Sequence, residues 1–218
     1  MTAKNEKSLG ALYANLMEEV KVRIHCIDRA VNGQTGFPGP IVREFCYGQL
    51  RLLCELIALS CLVAHGDIPA TYSKRLGKEW SAETIFEQLE QLRSHFYPIP
   101  FRPQNRSPWG TAQRHDASII DPMPLPKEAL LELYGKCHPQ LHRGNVRKLL
   151  NSSTPIEVNT NFPEIISWAQ RINDQLACHL IAISEEKLIF CILRNIDDNQ
   201  KVQVGTLEKR SFAPNFEP

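Results

Sequence analysis

GPIVREFCYGQLRLLCELIALSCLVAHGD, Gly39 to Asp67, is the stretch whose reading decides the fold. It is apolar nearly all round at helical length, and a helix of that kind packs in the middle of a protein with neighbours on several sides. Glu44, Arg51 and Glu55 interrupt it. Steps of seven and four residues set these three on one stripe of a 3.6-residue helix, and Gly48 falls on the same stripe. The stripe reads as a buried polar network in which Arg51 bonds Glu55, and Glu44 across Gly48, setting helix register. The other reading makes these three residues the lining of a pocket. Eleven residues at about 1.5 Å rise separate Glu44 from Glu55 by roughly 16 Å, too far for the paired carboxylates of a glycosidase.

On the N-terminal side, residues 8–32 predict a long amphipathic helix. Leu9, Leu12, Tyr13, Leu16, Met17, Val20, Ile24, Ile27 and Val31 follow three-four spacing, and Asn32-Gly33 supplies a stop. The loop that follows, Gly33 to Pro40, has evenly spaced glycines. No strand precedes it, and Pro38 and Pro40 remove the backbone donors of a phosphate cradle, so it reads as a stiff helix–helix turn. On the C-terminal side, His65 lies in the last helical turn, Gly66 suits the cap, and Asp67 opens the next element. A His65–Asp67 catalytic pair is conceivable there, but capping accounts for both residues. Ser81 to Phe96 predicts a shorter helix with Ala82, Ile85, Phe86, Leu89, Leu92 and Phe96 buried, and Trp80 packing back onto it.

Residues 97–126 hold seven prolines from Pro98 to Pro126 and read as a strap or loop, with no regular helix or central strand. Arg102 and Arg106 alternate there with Tyr97, Phe101 and Trp109, a mixture suited to stacking bases and holding phosphates of single-stranded RNA. The plainer reading anchors those aromatics on the helices. Pro126 then opens a helix that Pro139 breaks or bends, and Asn161 to Glu164 reads as a capping box for a helix to about Cys178, with Phe162, Ile165, Ile166, Ala169, Ile172 and Leu176 on its core face. From there the period changes from 3.6 to 2. HLIAIS, KLIFCIL and KVQVGTLE predict three short antiparallel strands ending near Glu208, ahead of a patternless tail, 209–218.

The totals bound the rest. With 218 residues, 43% of them hydrophobic, the chain can bury a sizeable core as one domain, and a net charge of +1 gives no global reason to bind nucleic acid or membrane. The longest apolar run, Leu56 to Ala64, falls short of the roughly 20 residues that span a bilayer. The N-terminus is polar, without a signal core, and six of the seven cysteines sit in apolar periodic segments as small core residues. Cytoplasm is the expected compartment. Cys137, His138 and His142 have near-chelating spacing, but Pro139 lies between the histidines and no carboxylate completes a set, so neither a metal nor a cofactor is expected.

The segment LYGKCHPQLHRGN, Leu133 to Asn145, carries Tyr134 and the run His142-Arg143-Gly144-Asn145. It resembles the terminal motif of HEPN-like helical domains, whose ribonuclease members place an arginine four to six residues before a histidine. No histidine here has an arginine at that spacing, so the resemblance is to non-catalytic members. The chain also looks like a set of uncharacterised bacterial proteins sharing the central CELIAL…CLVAHGD helix. The resemblance implies an interaction or assembly module, defence-associated (antiviral) by analogy, with a protein partner or self-association. The competing reading is a metal-independent ribonuclease or RNA-binding protein in which His142 moves the 2′-hydroxyl proton and Arg143 stabilises phosphate charge. The expected architecture is mainly α (α+β): a helical core over 8–96, the strap over 97–126, helices over 127–180, and a three-stranded meander over 180–208. Arg51, Glu55, Glu44, Tyr134, Asn145, Arg102, Arg106 and Trp109 are its candidate binding residues.

Overall fold

The computed structural model describes residues 3–66, 79–93, 95–103, 117–141, 162–195 and 198–208. Its first two helices, α1 (Ala3–Val31) and α2 (Gly39–Ala64), form an antiparallel pair. Arg23 near the end of α1 donates to Gln49 of α2 at 2.8 Å, while Leu9 near the start of α1 lies against Gly66 just past α2. The turn between them is closed by Gly33 at φ 74°, whose N–H donates to the Ala30 carbonyl at 3.1 Å. Tyr13, Met17, Val20, Ile27 and Ala30 form the buried stripe of α1, whereas Leu12 is 46% exposed and leaves it.

As its composition dictates, α2 is buried on several sides, with Leu50, Leu53, Cys54, Ile57, Ala58 and Cys61 fully covered. Truncating one such leucine to alanine costs about 2–5 kcal/mol. By length and composition the whole helix could cross a bilayer, which the shorter run Leu56 to Ala64 understated, but more than half of its most apolar window is buried within the fold. Gly66 serves by its size and not by a left-handed backbone: a Cβ there would stand 3.0 Å from Leu9 Cδ2 and 3.2 Å from the Val63 carbonyl.

Three further described helices pack around this pair: α3 (Ala82–Leu92), α4 (Lys127–Leu141) and α5 (Pro163–Leu176). The third helix is shorter than its periodicity predicts: Leu92, its last residue, is 38% exposed and leaves the buried stripe, and Phe96, buried at 2%, lies in the chain after it. Pro139 does not break α4. It lies inside the helix, two residues before Leu141, the last residue described there. Phe162 is the N-cap of α5 and its side chain makes no capping bond, while Asn161 lies outside the described residues. Ile166 faces outward at 50% exposure, and Trp168 takes its place in the core.

The sheet has five strands where the sequence predicts three. All pairings are antiparallel in the order β2-β1-β3-β4-β5, with β1 Ile99–Pro103, β2 Ala117–Ile119, β3 Cys178–Ala182, β4 Lys187–Asn195 and β5 Lys201–Glu208. The last three are the expected meander. The first two come from the proline-rich segment, and pairing geometry explains how a strand with two prolines sits between neighbours. Ile120 donates to the Pro100 carbonyl at 2.9 Å, so the Pro100 backbone faces the end of the β2 ladder. Pro103 faces the other way, past the last β1–β3 pair, Pro100 with His179. Neither missing N–H interrupts a ladder.

Gln175 of α5, fully buried, ties both ends of this segment down. Its Oε1 accepts from Leu125 N at 3.0 Å and its Nε2 donates to the Pro98 carbonyl at 2.8 Å. Tyr97 adds a bond to the Leu125 carbonyl and Arg171 one to that of Pro124, both at 2.9 Å. Strand alternation divides the apolar side chains of the meander between two faces. Ile181, Ile189, Cys191 and Leu193 join the helical core, while Leu180, Leu188, Phe190 and Leu207 cluster with Phe101 on the other side. Gly205 is required on β5 because a Cβ there would collide with the Phe190 ring.

Candidate functional site

Where α4 crosses α2, Arg51, Glu55 and Tyr134 meet in a closed triangle. The Arg51 Nε donates to Glu55 Oε1 at 3.2 Å and its Nη2 to the Tyr134 hydroxyl at 2.9 Å. Tyr134 in turn donates to Glu55 Oε1 at 3.2 Å. The guanidinium also lies 4.5 Å from the centroid of the Tyr134 ring and 5.9 Å from that of Trp80, so it is stacked between two aromatics. Side-chain exposures of 22% for Arg51 and 15% for Glu55 place the pair at the edge of the interior. Burial, reinforced by the Glu55 charge, raises the Tyr134 phenol above its usual range, so the proton stays on oxygen. The charges are balanced and the central bonds made. Such an arrangement can present a stacked cation and an aromatic face.

The i,i+4 pairing of Arg51 and Glu55 was legible from spacing, and Tyr134 was a separate candidate that the fold brings to them. Glu44 is not part of the network. It is exposed two turns before Arg51 and makes no bond to it. Trp80 does not pack into the interior; at 60% exposure it covers the guanidinium from outside. Arg102 is exposed on β1, opposite Ser118, and does not join the triangle. His142, Arg143, Asn145, Arg106 and Trp109 lie outside the described residues, as does Asp67 of the His65–Asp67 pair.

Five of the seven thiols, Cys46, Cys54, Cys61, Cys137 and Cys191, are core residues, and Cys26 and Cys178 are half-buried. Burial pushes Cys46 and Cys178 up to about 11 and Cys137 up to about 12, so each stays protonated at neutral pH and is a poor nucleophile. Cys137 faces the core and His138 faces solvent, so these neighbours do not converge. Among the described residues no three His, Cys, Asp or Glu side chains gather as a metal site would require.

Two buried histidines carry polar bonds that periodicity could not reveal. His179 of β3 has Nδ1 2.9 Å from the Leu176 carbonyl, which fixes the proton on that nitrogen. Nε2 then accepts from the Tyr13 hydroxyl of α1 at 2.6 Å. Burial lowers His179 to about 4 and raises Tyr13 well above its usual value, and both are fully enclosed, so the pair is neutral and sealed from any substrate. His65, the C-cap of α2, sets Nδ1 2.8 Å from the Cys61 carbonyl and Nε2 3.1 Å from that of Ala182, joining the helix end to β3. Capping with a tertiary tie accounts for His65. No protein-family model, curated protein or solved structure matches the chain.

Proposed function

We propose that this protein is a non-catalytic interaction and assembly module of the HEPN-like kind, cytoplasmic, which associates with a second copy of itself through the outer face of α2. The observation that carries the reading is an apolar line on the open side of an otherwise buried helix. Ile41, Phe45, Gly48 and Leu52 follow steps of four, three and four, so they share one face. Ile41 is 40% and Leu52 37% exposed, Phe37 packs edge-on against Phe45 at the helix start, and Leu141 lies beside Gly48 with 38% exposure. Gly48 is packed by Leu141 of α4, so the surface offered to the second copy is formed by the exposed Ile41, Leu52 and Leu141, with Phe37 beside them. The stacked Arg51, Tyr134 and Trp80 border the same face and supply the aromatic and arginine contacts that interfaces favour.

Leu52→Glu tests this, because it places a charge on a surface position and leaves the core intact. Light scattering after size exclusion should give a dimer mass for the natural chain and a monomer mass for the variant, with identical circular dichroism. A natural chain that stays monomeric at about 1 mM would overturn the reading, since a weaker interface is not a stable assembly. So would cleavage of unstructured RNA in EDTA that His142→Ala abolishes in a still-folded protein, because that outcome makes the chain a ribonuclease.

A further inference from the structure

Between α1 and α5, away from the Arg51 cluster, lies a groove of about 270 Å³. Ile24, Ile27 and Val31 form one wall and Ile166 and Ala169 the other. Seven residues of helix at about 1.5 Å each make the groove roughly 10 Å long. Two opposite charges stand on it, Asp28 from α1 and Arg194 from the end of β4, and no ion pair joins them. Arg194 Nη1 donates to Asn173 Oδ1 at 2.7 Å, which orients the guanidinium. Asp28 Oδ1 accepts from Asn32 Nδ2 at 3.0 Å. The other guanidinium nitrogens and the second Asp28 oxygen have no partner among the described residues.

We propose that this groove binds a free apolar α-amino acid. Its carboxylate would sit on Arg194, its ammonium on Asp28, and its side chain on the isoleucine and valine walls. A trough with one cation, one anion that is not paired with it, and an apolar lining complements a molecule with one carboxylate, one ammonium and one hydrocarbon branch. A simple fatty acid would leave Asp28 beside its chain, and an alkylamine would leave Arg194 unpaired. Both protein charges are solvent-exposed, so screening holds the affinity to a Kd of about 1–10 mM.

The walls are methyl-bearing, so methyl NMR of the full chain reads the site directly. Adding L-leucine should shift the Ile24, Ile27, Val31 and Ile166 methyl signals saturably. Arg194→Gln and Asp28→Asn should each weaken binding about 10-fold, while Arg194→Lys retains most of it. 4-Methylpentanoate lacks the ammonium and 3-methylbutylamine lacks the carboxylate, and each should bind about 10-fold more weakly than leucine. The proposal is overturned if these methyls do not respond to about 50 mM leucine. It is equally overturned if 4-methylpentanoate binds as tightly as leucine, or if Arg194→Gln binds like the natural chain with unchanged signals elsewhere.

Discussion

Acidification should weaken this fold through His179 well before most carboxylates are protonated. The ring is fully buried, its Nδ1–H donates to Leu176, and its Nε2 accepts from Tyr13. A second proton would reverse the bond to Tyr13 and enclose a charge in the core. Burial accordingly lowers the folded-state value from 6.5 to about 4. Between those two values the unfolded chain takes up a proton that the folded chain refuses. Stability is therefore full above pH 6.5 and falls as pH drops toward 4. At about 1.4 kcal/mol per unit the total loss is roughly 3 kcal/mol, a large share of the 5–15 kcal/mol typical of a domain. Urea unfolding followed by circular dichroism, at half-unit steps from pH 7 to 4, measures it. Carboxylates titrate in the lower part of that window, so the reference is His179→Gln, in which they are unchanged. The variant should be less stable than the natural chain at pH 7, with the gap closing or inverting by pH 4. A gap that stays constant within about 0.5 kcal/mol across the range would refute the reasoning.

Arg51→Leu should destabilise by roughly 2–4 kcal/mol in the same assay, because it strands Glu55 at the edge of the interior with the Tyr134 hydroxyl as its one remaining partner among the described residues. Adding Glu55→Leu should recover part of that loss, and a double variant no more stable than the single one would show that the charge was not the cost. Gln175→Leu removes the bonds to both Leu125 and Pro98 and should cost about 2–4 kcal/mol, since two buried backbone groups lose their partners. Hydrogen exchange should then quicken first in β1 and β2. Uniform quickening over the whole chain would mean that Gln175 is not a local clamp.

Whatever is written in short-range periodicity could be read directly from the chain. The three-four spacing of Tyr13, Met17, Val20 and Ile27 and the dense apolar run of α2 specify two helices and the faces they bury. The four-residue step from Arg51 to Glu55 specifies their ion pair, and the alternation after Cys178 specifies the last three strands. Even there, exposure at the margins was a tertiary outcome, since Leu12 and Ile166 fit their stripes and still face outward. Only the folded chain decided contacts between residues far apart in sequence. Tyr134 reaches Arg51 across 83 residues, Tyr13 reaches His179 across 166, and Gln175 holds Pro98 across 77. The proline-rich segment reads as a strap because local rules disfavour proline in paired strands. Its first part becomes β1 because Pro100 and Pro103 point their missing N–H groups past the ends of the neighbouring ladders. That direction depends on the register of strands 20 and 80 residues away, which no local pattern encodes, so it was settled only when helix and sheet packed together.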